Sequence, residues 1–172
     1  MKSYSKGFKA LHWLIALAVI LMLSISFFLE DLPEPSIGLA FMIHKSIGIT
    51  VLFLMLFRLV WVCLIGKPAL PVSIPKWEKR LAHFVQYALY LLVILMPLSG
   101  WVMSVAAKKA PYYFGLFQMS LPGIEPDKQL VELMKQTHNT IAWLLIVFVV
   151  LHIAGALKHH FVDRDEVLKQ ML

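Results

Sequence analysis

His138 and His152 stand fourteen residues apart in one long apolar segment. Fourteen residues is close to four turns of α-helix, so both imidazoles leave nearly the same face, roughly 21 Å apart along the axis. Inside a lipid span a polar ring is costly without a partner. Imidazole is a standard ligand of haem iron, and the separation suits two haem groups stacked across a membrane, one near each surface. The spacing points to a path for electrons.

The elements that would carry these rings follow from composition. The chain has 172 residues, of which 60% are hydrophobic, and its mean hydropathy is +0.77. Such values exclude an ordinary soluble domain. Four apolar stretches, about 10–29, 39–65, 81–106 and 137–161, each reach the ~20 residues that cross a bilayer. They are far longer than barrel strands, so the expected fold is all-α: a four-transmembrane-helix bundle in a single domain over 1–172. The N-terminal stretch has the basic start of a secretion signal. It is as long as a full span, however, and contains His12 and Trp13, so it is expected to stay as helix 1.

The net charge of +6 is unevenly spread. Lys2, Lys6 and Lys9 lead the chain. Lys67, Lys76, Lys79 and Arg80 lie between helices 2 and 3, and Lys158, Arg164 and Lys169 lie near the end. The first connection instead holds Glu30, Asp31 and Glu34. By the positive-inside rule both termini are cytoplasmic. The basic balance thus reflects topology, and no nucleic-acid partner is expected; membrane lipid is. Pro33 and Pro35 punctuate the first connection, and Pro68, Pro71 and Pro75 extend the second. The third connection, 108–136, is the longest, with an aromatic cluster at Tyr112, Tyr113, Phe114 and Phe117 and a short amphipathic stretch from Asp127 to Gln136. Pro97 and Gly100 interrupt helix 3 and are expected to kink it. Cys63 is alone, so no internal disulfide forms, and no CxxC motif offers a zinc or iron–sulfur site.

With that topology the histidines sort by depth. His44 and His138 begin helices 2 and 4 at the outer level. His12, His83 and His152 share the inner level. A flat macrocycle needs room beside its ligand helix, and a small residue at i+4 provides it: Ala16 for His12, Gly48 for His44, Ala142 for His138 and Ala156 for His152. His83, His159 and His160 have Tyr87, Asp163 and Arg164 there. A lone histidine at such a position is more often an interfacial residue, but four at two matched depths favour two axial pairs. His44 and His138 would hold the outer iron, and His12 and His152 the inner, with His83 a rival to His12. Haem b is expected rather than haem c, because no CxxCH attachment motif exists.

Other residues gather around this frame. His159 lies seven residues beyond His152 on nearly the same face, roughly 10 Å further toward the cytoplasm, where a quinone headgroup would need a hydrogen-bond donor. Lys45, Lys108 and Lys109 put positive charge at the outer level, against the topological trend. They would attract an anionic substrate, or simply pair with Glu30, Asp31, Glu34 or haem propionates. Arg58, deep in helix 2, needs a partner, and an inner haem propionate would serve.

The segments LHWLIAL around His12, MIHKSIGI around His44, LAHFVQYALYLLVILMPLSGWVM through helix 3 and THNTIAWLLIVFVVLHIAGALKHHF through helix 4 resemble the bacterial cytochrome b561 family over nearly the whole chain. The resemblance implies a multi-pass protein of the bacterial inner membrane with two haem b groups, and places the ligands on His12, His44, His138 and His152 rather than His83. One type within that family is superoxide oxidase. By that likeness superoxide would give electrons at the outer haem and ubiquinone would accept them at the inner, with Lys45, Lys108 and Lys109 as the anion-attracting mouth and His159 at the quinone. Bis-histidine ligation leaves no open iron position, which argues against oxygen binding at the metal. The alternative is an electron-carrier subunit between quinone and a redox partner, and a non-redox bundle is a third reading. A monomer is expected, with a partner subunit as the alternative.

Overall fold

The charged and proline-rich breaks between apolar runs become helix ends. In the computed structural model, which describes residues 3–66, 68 and 74–172, four long helices account for most of the chain: α1 Lys6–Ser26, α2 Ser36–Ile65, α3 Lys76–Ala106 and α4 Lys128–Leu157. Lys2, Lys67 and Pro71 lie outside the described residues. Each helix is long and apolar enough to cross a membrane. Their starts carry recognisable caps. Ser5 accepts from the Phe8 N–H at 3.3 Å, and Asp127 accepts from Gln129 at 2.7 Å and Leu130 at 3.2 Å. The α2 helix ends at Gly66, whose φ of 83° suits the left-handed stop.

Most boundaries differ from the sequence reading: α1, α2 and α3 begin at Lys6, Ser36 and Lys76, ahead of the expected 10, 39 and 81. The α4 helix begins nine residues early, so the amphipathic stretch after Asp127 is its own first turns. Hydropathy is low there, yet the Asp127 cap and an unbroken backbone ladder continue the helix. The α1 helix ends at Ser26 rather than at 29. The α3 helix runs through Pro97 without a break in its assignment.

Successive helices pack side by side: α1 on α2, α2 on α3 and α3 on α4. The shared interior is hydrocarbon. Leu11 and Ile15 of α1 meet Val51 and Met55 of α2, Leu92 and Val93 of α3, and Ile141 and Leu145 of α4. Spacings of seven recur on these inner faces: Val51 lies midway between His44 and Arg58, Leu92 between Val85 and Ser99, and Leu145 between His138 and His152. Two helical turns separate each pair, so one side of each helix serves both levels and the middle. Large apolar residues such as Leu17, Phe28, Phe53 and Leu64 face outward, as lipid contact requires. Cys63 is also exposed.

The third connection is shorter and more ordered than its composition suggests. Tyr112–Tyr113 and Phe117–Gln118 form a small antiparallel hairpin, β1 and β2. Phe114 and Gly115 both take positive φ, and Leu116 N–H donates to Tyr113 O at 2.9 Å, the geometry of a tight hairpin turn. Ser46 of α2, fully buried, pins it by accepting from Phe114 N–H at 2.9 Å, and Thr50 meets the Tyr113 hydroxyl at 3.0 Å. The Trp101 indole donates to Met119 O at 3.0 Å. The hairpin is thus fastened over the helix that carries His44.

Candidate functional site

At one end of the bundle α1 and α4 bring His12 and His152 face to edge, with ring centres 6.2 Å apart. Metal–imidazole bonds are about 2 Å, so two rings on opposite sides of one ion need centres about 6 Å apart. The α1 and α4 helices share no packed seam comparable to those of their neighbours, and the two rings face each other across that join. At the opposite end His44 of α2 lies within electrostatic reach of His138 of α4. His83 takes no part: it is exposed and lies against Tyr87, with ring centres 6.4 Å apart.

The hydrogen bonds of these rings bear on what they can hold. Ser99 of α3 donates to Met96 O at 2.8 Å, so its Oγ is free to accept from His138 Nδ1, 3.0 Å away. That leaves the Nε2 lone pair of His138 open for a metal. A Cβ on Gly100 would sit 3.0 Å from His138 Cε1, so any side chain there would press on the ring. In sequence Gly100 read as part of a kink, and Ser99 was unremarked; a small residue beside a hydroxyl about two turns from the helix end was the only signal. His44 Nδ1 is buried without a hydrogen-bond partner. Such an orphan costs about 1–3 kcal/mol, and a ring committed to a metal through its other nitrogen helps offset it. These donor sets fit haem iron at both levels.

Arg58 lies at the end of the bundle that holds His12. Its Nη1 donates to His12 Nδ1 at 2.7 Å, since a guanidinium has no acceptor. The cation lies over the Phe8 ring at 5.0 Å and the Tyr90 ring at 5.5 Å, and its buried Nε has no partner. Arg58 forms no ion pair with a carboxylate among the described residues. With Nδ1 accepting, the proton of His12 sits on Nε2. Taking a metal at Nε2 therefore releases that proton, or turns Arg58 to a new acceptor such as a haem carboxylate.

Beyond His152, α4 widens into a π turn at Lys158–Val162. Lys158 bridges Glu78 at 3.0 Å and Asp163 at 2.8 Å. His159 Nδ1 lies 2.7 Å from Asp165 Oδ2 and 3.2 Å from Asp163 Oδ2. Glu78, His159, Asp163 and Asp165, together with Ile74 and Pro75, line a cavity of about 270 Å³. Sequence reasoning missed Glu78, Asp163 and Asp165, because their convergence is set by distant folding. Past them the chain returns to α1: Trp13 donates to Met171 O at 2.8 Å and Lys9 to Leu172 O at 2.6 Å.

Near His44, Lys45 Nζ donates to Lys109 O at 3.1 Å, which joins two of the expected lysines. Lys108, at φ 58°, turns instead toward a cavity of about 450 Å³ shared with Asp127 and Lys128. Among the described residues none of these lysines pairs with Glu30, Asp31 or Glu34. Lys128 was not singled out in sequence; its place at the start of an unforeseen helical turn concealed it.

The chain matches the prokaryotic cytochrome b561 family over residues 3–172. Among similar proteins, "Cytochrome b561 homolog 2" of Escherichia coli K12 is 32% identical over 95% of this chain and 87% of its own length. "Cytochrome b561 homolog 1" of the same organism is 27% identical over 100% and 98%. "Probable superoxide oxidase CybB" of Yersinia pestis is 30% identical over 99% and 96%. With four membrane-length helices and a family match along nearly its whole length, this chain belongs to the prokaryotic cytochrome b561 family, haem b proteins of the bacterial inner membrane that pass electrons across it.

Proposed function

We propose that the protein oxidises superoxide on the outer side of the inner membrane and reduces ubiquinone on the inner side, through two haem b groups. The net reaction is two superoxide, one quinone and two protons giving two dioxygen and one quinol. The observation that carries the reading is the pairing of His12 and His152, with rings 6.2 Å apart at one level, while His44 and His138 lie within electrostatic reach of each other at the other. A relative that bears the name probable superoxide oxidase adds support.

Haem held by these histidines would supply one-electron chemistry. The chain's own residues do the rest. His44 and His138 are ligands at the outer level, the latter oriented by Ser99. His12 and His152 are ligands at the inner level, where Arg58 balances anionic haem carboxylates. Lys45, Lys108 and Lys109, joined by Lys128, raise the local concentration of a small anion. His159, at the cavity wall, hydrogen-bonds a quinone oxygen. The acidic first connection and the lysines and arginines near α1, α3 and α4 orient both termini to the cytoplasm.

Stopped-flow spectroscopy of the purified protein tests this. Superoxide should reduce the haem within the mixing experiment, and a short-chain ubiquinone should reoxidise it. Sluggish reduction by superoxide with an intact bis-histidine spectrum would instead assign an electron carrier that works with a partner. A protein that stays colourless on reconstitution with haem would refute the ligand assignment.

A further inference from the structure

The cavity at the end of α4 holds an arrangement that quinone binding alone does not require. Asp165 is locked on both sides: its Oδ1 accepts from Val167 N–H at 2.9 Å, and its own N–H donates to His159 O at 3.0 Å. Its Oδ2 faces His159 Nδ1 at 2.7 Å. An ionised carboxylate can only accept, so Nδ1 carries a proton and Nε2 is turned to the other side of the ring. There Glu78 Oε2 lies 3.9 Å away. The side chains of His159, Glu78 and Asp165 are 12%, 13% and 14% exposed, enough for each to touch water at the cavity edge.

The π turn makes this possible. On a regular helix Lys158 and His159 would point about 100° apart. Here both reach Glu78 and Asp163. The charged groups that face His159 are Glu78 from α3, Lys158 from its own helix, and Asp163 and Asp165 from the segment that follows. Three carboxylates therefore surround one imidazole and one ammonium. Imidazole is the side chain whose ordinary titration lies nearest neutrality, and it is the one placed between the cavity and the acids.

We infer that Asp165, His159 and Glu78 form a proton relay that supplies the quinone from the aqueous phase. The inference rests on His159 as the quinone contact. In each cycle the imidazolium gives its Nε2 proton to the quinone oxygen; the N–H bond breaks as the O–H bond forms. The ring is left neutral, with Nδ1–H still held by Asp165. Glu78 then returns a proton drawn from water to Nε2. Two cycles deliver the two protons that accompany the two electrons from two superoxide ions. Asp165 is a positioning residue here: it fixes the ring orientation.

The test reads two phases in one stopped-flow record, reduction by superoxide and then reoxidation by a short-chain ubiquinone, from mildly acidic to mildly alkaline pH. For Asp165→Asn the second phase should slow by about tenfold or more at alkaline pH, where protons are scarce, and by less at acidic pH. Asp165→Glu should restore much of the rate, a rescue that loss of packing would not give. Glu78→Gln should show the same alkaline loss and serves as the second variant if Asp165→Asn loses its haem spectrum. Reoxidation by Asp165→Asn and Glu78→Gln with the unmodified protein's rate and pH profile would overturn the relay alone. An unmodified protein that quinone does not reoxidise would overturn the relay together with the quinone reading.

Discussion

Ser99 on α3 reaches across to α4 and holds His138, with Oγ 3.0 Å from Nδ1. Next to it, Gly100 leaves the space that the ring fills. The two residues act on one imidazole in different ways, and substitution separates them. Ser99→Ala removes the acceptor for Nδ1–H. That weakens donation from the ring to iron, so the outer haem should become easier to reduce and be held about 10–100-fold less tightly. Gly100→Ala places a methyl 3.0 Å from Cε1, and the purified protein should carry close to one haem per chain rather than two. Potentiometric titration and a haem-to-protein ratio check both.

Arg58 makes the opposite kind of contact. Its charge lies against His12 with no carboxylate opposing it among the described residues. A nearby cation favours whichever state of a redox group carries less positive charge, and that is the reduced one. Arg58→Gln should therefore lower the potential of the inner haem and leave the outer nearly unchanged, narrowing the downhill step for inward electrons. Arg58→Lys should fall between. Spectroelectrochemistry on the two variants would detect the change; equal shifts at both haems would refute it.

The outer lysines act at a distance, so their signature is kinetic. Replacing Lys45, Lys108 and Lys128 together by glutamine should slow superoxide-driven reduction by about tenfold at low salt. The unmodified protein should approach the variant as ionic strength rises, because salt screens exposed charge. Rates measured across a salt series would show two curves converging. Parallel curves would mean that the lysines do not steer.

Ser46 offers a test of architecture. It is fully buried and satisfies Phe114 N–H at the hairpin turn. Ser46→Ala leaves that N–H without its partner, a cost of about 1–3 kcal/mol. Loosening should be local, so limited proteolysis should cut within residues 112–118 in the variant first, while thermal unfolding in detergent moves only slightly.

Much of this was legible in the residues. Apolar runs of membrane length gave the four helices, because lipid leaves the backbone no other choice. Histidine spacing gave two levels, and the structure places His12 rather than His83 beside His152. What stayed hidden depends on where helices meet and where the chain turns back. Nothing local shows that Glu78 meets Lys158 across 80 residues, or that Asp165 turns back on His159. The polar start of α4 was concealed for a different reason: hydropathy follows lipid, whereas the helix follows its hydrogen bonds and extends past the membrane to Asp127. The aromatic cluster at Tyr112 was visible in composition but not in shape, and the Phe114–Gly115 turn makes it a hairpin.

Leu145 stands midway between His138 and His152 and is 2% exposed, and the layer around it is built from Ile15, Val51, Met55, Leu92 and Ile141. Hydrocarbon of this kind offers no chain of hydrogen bonds along which a proton could hop. Electrons tunnel through it. The two levels are thus joined by a conductor that insulates against ions, and each electron that passes moves as bare charge. The protein works against, or with, the membrane's own voltage, by about 2.3 kcal/mol per electron for every 100 mV across the whole span. Electron transfer between the two levels then becomes a charging current across the membrane, and its rate in sealed vesicles should respond to an imposed potential in a way that no detergent assay reveals.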